Sequence, residues 1–160
     1  MDDTALDDVA RLAAEQACIS LINAYTHCAD GLRERAGIVE LFTEDGVWES
    51  DEARLVGRDD MRRFFGDSAS AEAEGRKSRH VSSNIAVEVT GPDEATGLSY
   101  FTLYRHVGQK PRVPDLEGQP VIVGQYTDRF VRTPDGWRIA HRRADVGFVR
   151  RSALKGEGRS

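Results

Sequence analysis

The stretch SRHVSSNIAVEV, residues 78–89, is where the hydrophobic period of the chain changes from helical to extended. From Ser82 onward apolar and polar residues alternate, which predicts a strand with Ile85, Val87 and Val89 on one face. His80, Ser82, Asn84 and Glu88 fall on the other face. A face carrying His, Ser, Asn and Glu is unusual for a packed core, yet the alternation is too regular for a loop. His80 therefore stands either in a pocket or on a wet surface, and the rest of the chain has to decide which.

Upstream the period is helical. Residues 5–30, ALDDVARLAAEQACISLINAYTHCAD, hold neither Gly nor Pro. They set Ala14, Cys18, Leu21, Ile22, Tyr25 and Ala29 along one stripe at helical spacing. Gly31 is placed to stop that helix. A shorter helix is expected over ERAGIVELF, followed by a strand, TEDGVWES, that carries Trp48. A short strand in ARLVGRDDMRRFFG then turns at Gly57 into a third helix with Met61, Phe64 and Phe65 inward. The polar DSASAEAEGRKS reads as a loop or a marginal helix.

Downstream, strands are expected near residues 80–90, 95–106, 120–132 and 136–149. They are separated by turn-like GPDE, by the long VGQKPRVPDLEGQP and by TPDG. Segment 107–119 contains Pro and Gly and exceeds what a hairpin needs, so it is expected to be mobile near a cavity mouth. The polar, Gly-rich RSALKGEGRS predicts a flexible tail over 151–160, after a single domain spanning 1–150. Helices first and long antiparallel strands after them specify an α+β domain, with helices on one face of a strongly bent sheet.

Composition narrows the function. The chain has 160 residues, 39% hydrophobic and 31% charged, with net charge −5, which fits one ordinary domain with its own core. No basic tract or Arg/aromatic interleaving tracks a phosphate backbone, so nucleic acid is not an expected partner. The excess of arginine over lysine reads as codon bias. No apolar run approaches the ~18 residues of a membrane span, and the acidic MDDTALDDVA is unlike a signal peptide. Cys18 and Cys28 share one predicted helix about 15 Å apart, beyond disulfide reach. A reduced cytoplasmic protein is the expectation.

Several segments together carry a resemblance. A long first helix contains Tyr25 and Asp30 and is followed by GIVELFTEDGVWE. A Gly-initiated helix GRDDMRRFF, the strand start RHVSSN and a final hairpin YTDRFVRTPDGWRI complete the order. Over roughly residues 8–149 the chain resembles the SnoaL-like branch of the NTF2-like superfamily. That resemblance implies a cone-shaped barrel, with three N-terminal helices on a strongly curved, mixed but mostly antiparallel sheet. The superfamily includes ketosteroid isomerases, scytalone dehydratase, bile-acid dehydratases, dehydrochlorinases, polyketide cyclases and dioxygenase small subunits. Fold alone therefore leaves the chemistry open.

In the dehydratase-like members a His at this strand start pairs with an Asp at the end of the first helix, which here implies His80 and Asp30. The chemistry is sound on its own terms. An imidazole is a usable base near neutral pH, and a carboxylate on its far nitrogen fixes the tautomer and stabilises the imidazolium. By the same resemblance Tyr25 donates a hydrogen bond to a substrate oxygen. The competing structural readings are that Asp30 ends a helix, His80 is a satisfied strand histidine and Tyr25 belongs to the apolar stripe. Trp48, Phe65, Phe101, Leu103, Tyr104, Tyr126 and Phe148 are candidates for pocket walls. Asn84 is a candidate for a substrate oxygen, and Arg105 or Arg143 for a carboxylate or phenolate.

His27, His106 and His141 are too scattered for a metal, and no phosphate loop or nucleophile elbow occurs. The expectation is a cofactor-free lyase or isomerase that dehydrates, isomerises or cyclises a small apolar cyclic substrate of hydroxy-ketone, steroid or polyketide type. The alternative is a non-catalytic ligand-binding or assembly subunit, such as the small subunit of a ring-hydroxylating dioxygenase. The final strands carry apolar residues on both faces: Val121, Val123 and Val131 on one, Ile122, Tyr126 and Phe130 on the other. That predicts a homodimer or homotrimer.

Overall fold

A computed structural model describes residues 3–34, 36–66, 75–107, 113–114 and 120–154. The first helix, α1, spans Asp3–Ala29. Its second half buries Cys18, Ile22, Tyr25, Cys28 and Ala29, the stripe that the spacing predicts. It ends as Gly31 foretells. Gly31 has φ +69, its amide donates to the Cys28 carbonyl at 3.1 Å, and the Leu32 amide donates to the His27 carbonyl at 2.9 Å. This double bond closes a helix end around one left-handed residue. Asp30, the residue just before, still donates its amide to the Thr26 carbonyl at 2.9 Å.

The second helix is shorter than its sequence suggests. It is the single turn α2, Gly37–Glu40, because Phe42 is taken fully into the sheet core and begins β1 (Phe42–Glu49). Then follow β2 (Arg54–Val56) and α3 (Gly57–Gly66). Met61 is buried as expected, whereas Phe64 is 50% exposed and leans on Trp48 with ring centroids 5.6 Å apart. Residues 67–74 and most of 107–119 lie outside the described residues.

The four long strands fall where the alternation places them: β3 Lys77–Gly91, β4 Glu94–His106, β5 Ile122–Thr133 and β6 Gly136–Val149. Of the predicted tail, Arg151–Leu154 forms a helical turn, α4. The six strands make one curved, unclosed sheet in the order β2-β1-β6-β5-β4-β3. Only β1 and β6 run parallel. α1 packs across β3 and the inner face of β6, so the site lies between helix and sheet.

Three bulges set which residues face that space. On β3 the pairing slips between Ser83 and Ala86, where Asn84 takes φ +50. On β6 it slips at Ala140, between the partners of Arg129 and Phe130, and again at Gly147, between the partners of Val123 and Gly124. Each bulge adds one residue and reverses the side-chain phase beyond it.

Close packing of the inner face needs a glycine at 124. A Cβ there would lie 2.3 Å from the Asp145 carbonyl oxygen and 2.7 Å from the Phe101 ring, which stacks on Tyr126 at 4.4 Å. The carbonyl belongs to the paired strand and cannot yield without breaking the ladder. Gly124→Ala is therefore expected to destabilise by roughly 1–3 kcal/mol, the usual cost of overpacking. A denaturation midpoint equal to wild type would refute this.

Both cysteines are buried and unbridged. Burial pushes the Cys18 thiol up to about 12, and Cys28 also rises through burial. Since the thiolate is the reactive form, both should resist a disulfide reagent in the native protein and react fully in denaturant. Rapid native labelling of Cys18 would contradict that. No helix among the described residues is long and apolar enough to cross a membrane.

Candidate functional site

Asp30 leaves the end of α1 and meets the start of β3 at two points. Its Oδ2 accepts the backbone N–H of His80 at 2.8 Å, and its Oδ1 lies 2.6 Å from His80 Nδ1. The side chains are 3% and 13% exposed respectively. One carboxylate is thus anchored by a backbone amide and, through its other oxygen, aims the imidazole. A carboxylate accepts only, so Nδ1 carries the proton, and Nε2 is the nitrogen that presents a lone pair in the neutral imidazole.

A second cluster, built on the Arg142–Asp128 pair that the sequence did not single out, lies deeper on the inner face. Arg142 is completely buried. Its Nε and Nη2 donate to Asp128 Oδ1 and Oδ2, both at 2.7 Å. Its guanidinium carbon sits 4.3 Å from the Tyr25 ring centroid and 4.4 Å from that of Tyr126. Burial opposes the charge, but the Asp128 carboxylate outweighs it, and the guanidinium is held even more firmly protonated than usual. Burial likewise drives the Tyr126 phenol well above its ordinary value. Arg142 Nη1 is buried with no hydrogen-bond partner among the described residues.

Tyr25 belongs to this second cluster. It lies on α1 five residues before Asp30, and its hydroxyl oxygen accepts the Trp48 indole N–H at 3.0 Å. Its ring makes edge contacts with Phe42, Phe65 and Tyr126 at 5.8–6.5 Å. Trp48, Phe65, Phe101 and Tyr126 all stand in this aromatic group within the core.

The other expected site residues are placed elsewhere. Asn84 is the bulge residue of β3 and is exposed. Tyr104 alternates with buried Leu103 and so faces outward with Tyr100 and Thr102. Arg143 also faces outward, bonded to Asp145 at 2.7 Å and Asp51 at 2.6 Å. Phe148 is 75% exposed beyond the Gly147 bulge. Arg105, by contrast, reaches across the inner face, its Nε donating to Ser78 Oγ at 3.3 Å. Asp128 did leave a signal: it falls between Tyr126 and Phe130 on an otherwise apolar face, where a lone carboxylate needs a buried cation. Among the described residues no group of three or more His, Cys, Asp or Glu side chains could share a metal ion.

This fold and site define a small α+β protein with a buried Asp–His pair at the junction of helix and sheet, and sequence comparison places it in a family. The chain matches the SnoaL-like domain over residues 10–143 and belongs to that family. Its structure is similar to an NTF2-like protein with a cystatin-like fold from Novosphingobium aromaticivorans, at 24% identity and TM-score 0.73, covering 99% of this chain and 98% of that one. It is also similar to the hexachlorocyclohexane dehydrochlorinase LinA-type3 from Novosphingobium barchaimii LL02, at 16% identity and TM-score 0.71, covering 89% and 92%. ActVI-ORFA from Streptomyces coelicolor matches at 21% identity and TM-score 0.66, covering 82% and 96%. Comparison with curated protein sequences finds no match.

Proposed function

We propose that the protein is a cofactor-independent acid–base enzyme of the lyase or isomerase type, acting on a small, largely apolar cyclic hydroxy- or keto-substrate. The single observation that carries this reading is the Asp30–His80 pair, with its 2.6 Å contact at Nδ1. His80 Nε2 takes a proton from carbon next to a carbonyl, and in a dehydration the imidazolium then returns that proton to the departing hydroxyl, which leaves as water. Asp30 holds the required tautomer and stabilises the imidazolium that forms. An assembly subunit has no physical need for such a pair.

Charge then develops on the substrate oxygen. Trp48 donates to the Tyr25 hydroxyl oxygen, which strengthens the phenol as a donor toward that oxygen. Arg142, with its buried Nη1, supplies fixed positive charge behind Tyr25, where low dielectric makes such charge most effective. Trp48, Phe65, Phe101 and Tyr126 form the apolar walls. Dehydration, isomerisation and cyclisation all share the first proton abstraction in this scheme.

That shared step gives the test. In D2O the protein should wash deuterium into the acidic carbon of at least one member of a panel of cyclic β-hydroxy ketones and enones, followed by NMR. Exchange that is absent across the panel, or equally fast with His80→Ala, would defeat the proposal.

A further inference from the structure

Two hydroxyls on the inner face are buried and unsatisfied. Ser99 is completely buried. Neither its Oγ nor that of Ser82 has a hydrogen-bond partner among the described residues, although both atoms are shut off from bulk solvent. Burying a hydroxyl without a hydrogen bond destabilises a fold, so such groups are few and each calls for a use. Small apolar residues are tolerated here, since Ala95 and Gly97 fill the preceding inward positions of β4, both buried.

Their place in the sheet suggests the use. On β3 the inward side chains run Ser78, His80, Ser82, so Ser82 is the next inward residue beyond the base, about 6.8 Å along the strand. Ser82 pairs with Phe101, and Ser99 is the inward residue two before Phe101. The two serines therefore lie on a diagonal, about 7–8 Å apart at their Cα atoms. Opposite Ser99 the bulge of β3 sets exposed Asn84 and apolar Ile85, so that strand offers its hydroxyl no partner. One ligand oxygen bonded to both hydroxyls spans up to about 5.6 Å, twice an ordinary O–H···O distance, which this diagonal allows.

We propose that Ser82 and Ser99 form a polar subsite for a second oxygen of the substrate, a ring hydroxyl or carbonyl remote from the acidic carbon. The proposal rests on the reading of this space as the site of proton abstraction by His80. It narrows the substrate to ring compounds with two oxygen functions. A hydroxyl both donates and accepts, so the pair serves either kind of oxygen. Phe101 and Tyr126, stacked at 4.4 Å, pair with Ser82 and Ser99 respectively and make the surroundings apolar. A ligand without the second oxygen leaves both hydroxyls unpaired there and is discriminated against.

Cyclohexanone and 4-hydroxycyclohexanone, which differ by one hydroxyl, test the subsite. Their binding to the full chain is followed by ligand-observed NMR, which needs no proton transfer. The wild type is expected to bind the hydroxy ketone at least about 10-fold more tightly, the worth of one or two hydrogen bonds. In the double variant Ser82→Ala with Ser99→Ala that preference is expected to vanish. Its denaturation midpoint without ligand is expected to stay level or rise, because each substitution removes an unpaired buried hydroxyl. A wild type that does not favour the hydroxy ketone would overturn the proposal, as would a double variant that keeps the preference. A double variant with a lowered midpoint would overturn it too, since the hydroxyls would then be structural. Binding and stability are read without exchange, so this proposal can fail while the His80 reading stands.

Discussion

His80→Ala is expected to lower the rate of the deuterium-exchange reaction by about 10²–10⁴-fold, the usual contribution of a positioned base. The fold should survive, because the Asp30 carboxylate keeps the backbone N–H of residue 80, a bond that does not depend on the imidazole. Asp30→Asn separates geometry from chemistry. The amide oxygen can still accept that backbone N–H, while its NH2 group now donates to Nδ1 and forces the proton onto Nε2. The base then presents a proton where it needs a lone pair, so Asp30→Asn should cost nearly as much as His80→Ala. If Asp30→Asn retains most of the wild-type rate, the pair is structural and the proton is taken elsewhere.

The second large effect is on stability. Asp128→Ala removes both carboxylate oxygens from a guanidinium with no exposure to solvent. An uncompensated buried charge of this kind costs about 3–5 kcal/mol, which is a large share of the stability of a domain this size. The double substitution Asp128→Leu with Arg142→Met should recover most of that loss, since a buried ion pair replaced by apolar groups is often neutral in stability. It should not recover the exchange reaction, if Arg142 stabilises charge behind Tyr25. Equilibrium denaturation of the three proteins decides the matter. An Asp128→Ala protein within about 1 kcal/mol of wild type would mean that Arg142 finds another partner or reaches water.

The sequence by itself determined the order and type of the elements. Gly31 specified where α1 stops, and so placed Asp30 at a helix end. The period-two alternation specified four long strands. Helix stops and alternation are local, or repeat locally, and a single chain carries them openly. The pairing of Asp30 with the histidine fifty residues later was implied by the family resemblance alone, and the structure brings those two side chains into contact.

What only the tertiary structure decided was the phase of the strands. Without bulges, alternation from Ile139 along β6 would turn Arg143 inward. The extra residue Ala140 turns Arg142 inward instead, and Arg143 goes to the surface. Likewise the bulge at Asn84 lets His80 and Ser82 share the inner face with Ile85, Val87 and Val89, which strict alternation puts on opposite sides. A bulge is one residue left unpaired by a neighbouring strand, so its position depends on what that neighbour offers across the sheet. Sequence periodicity fixes which residues share a face between bulges, and the curvature of the assembled sheet fixes where the phase is reset.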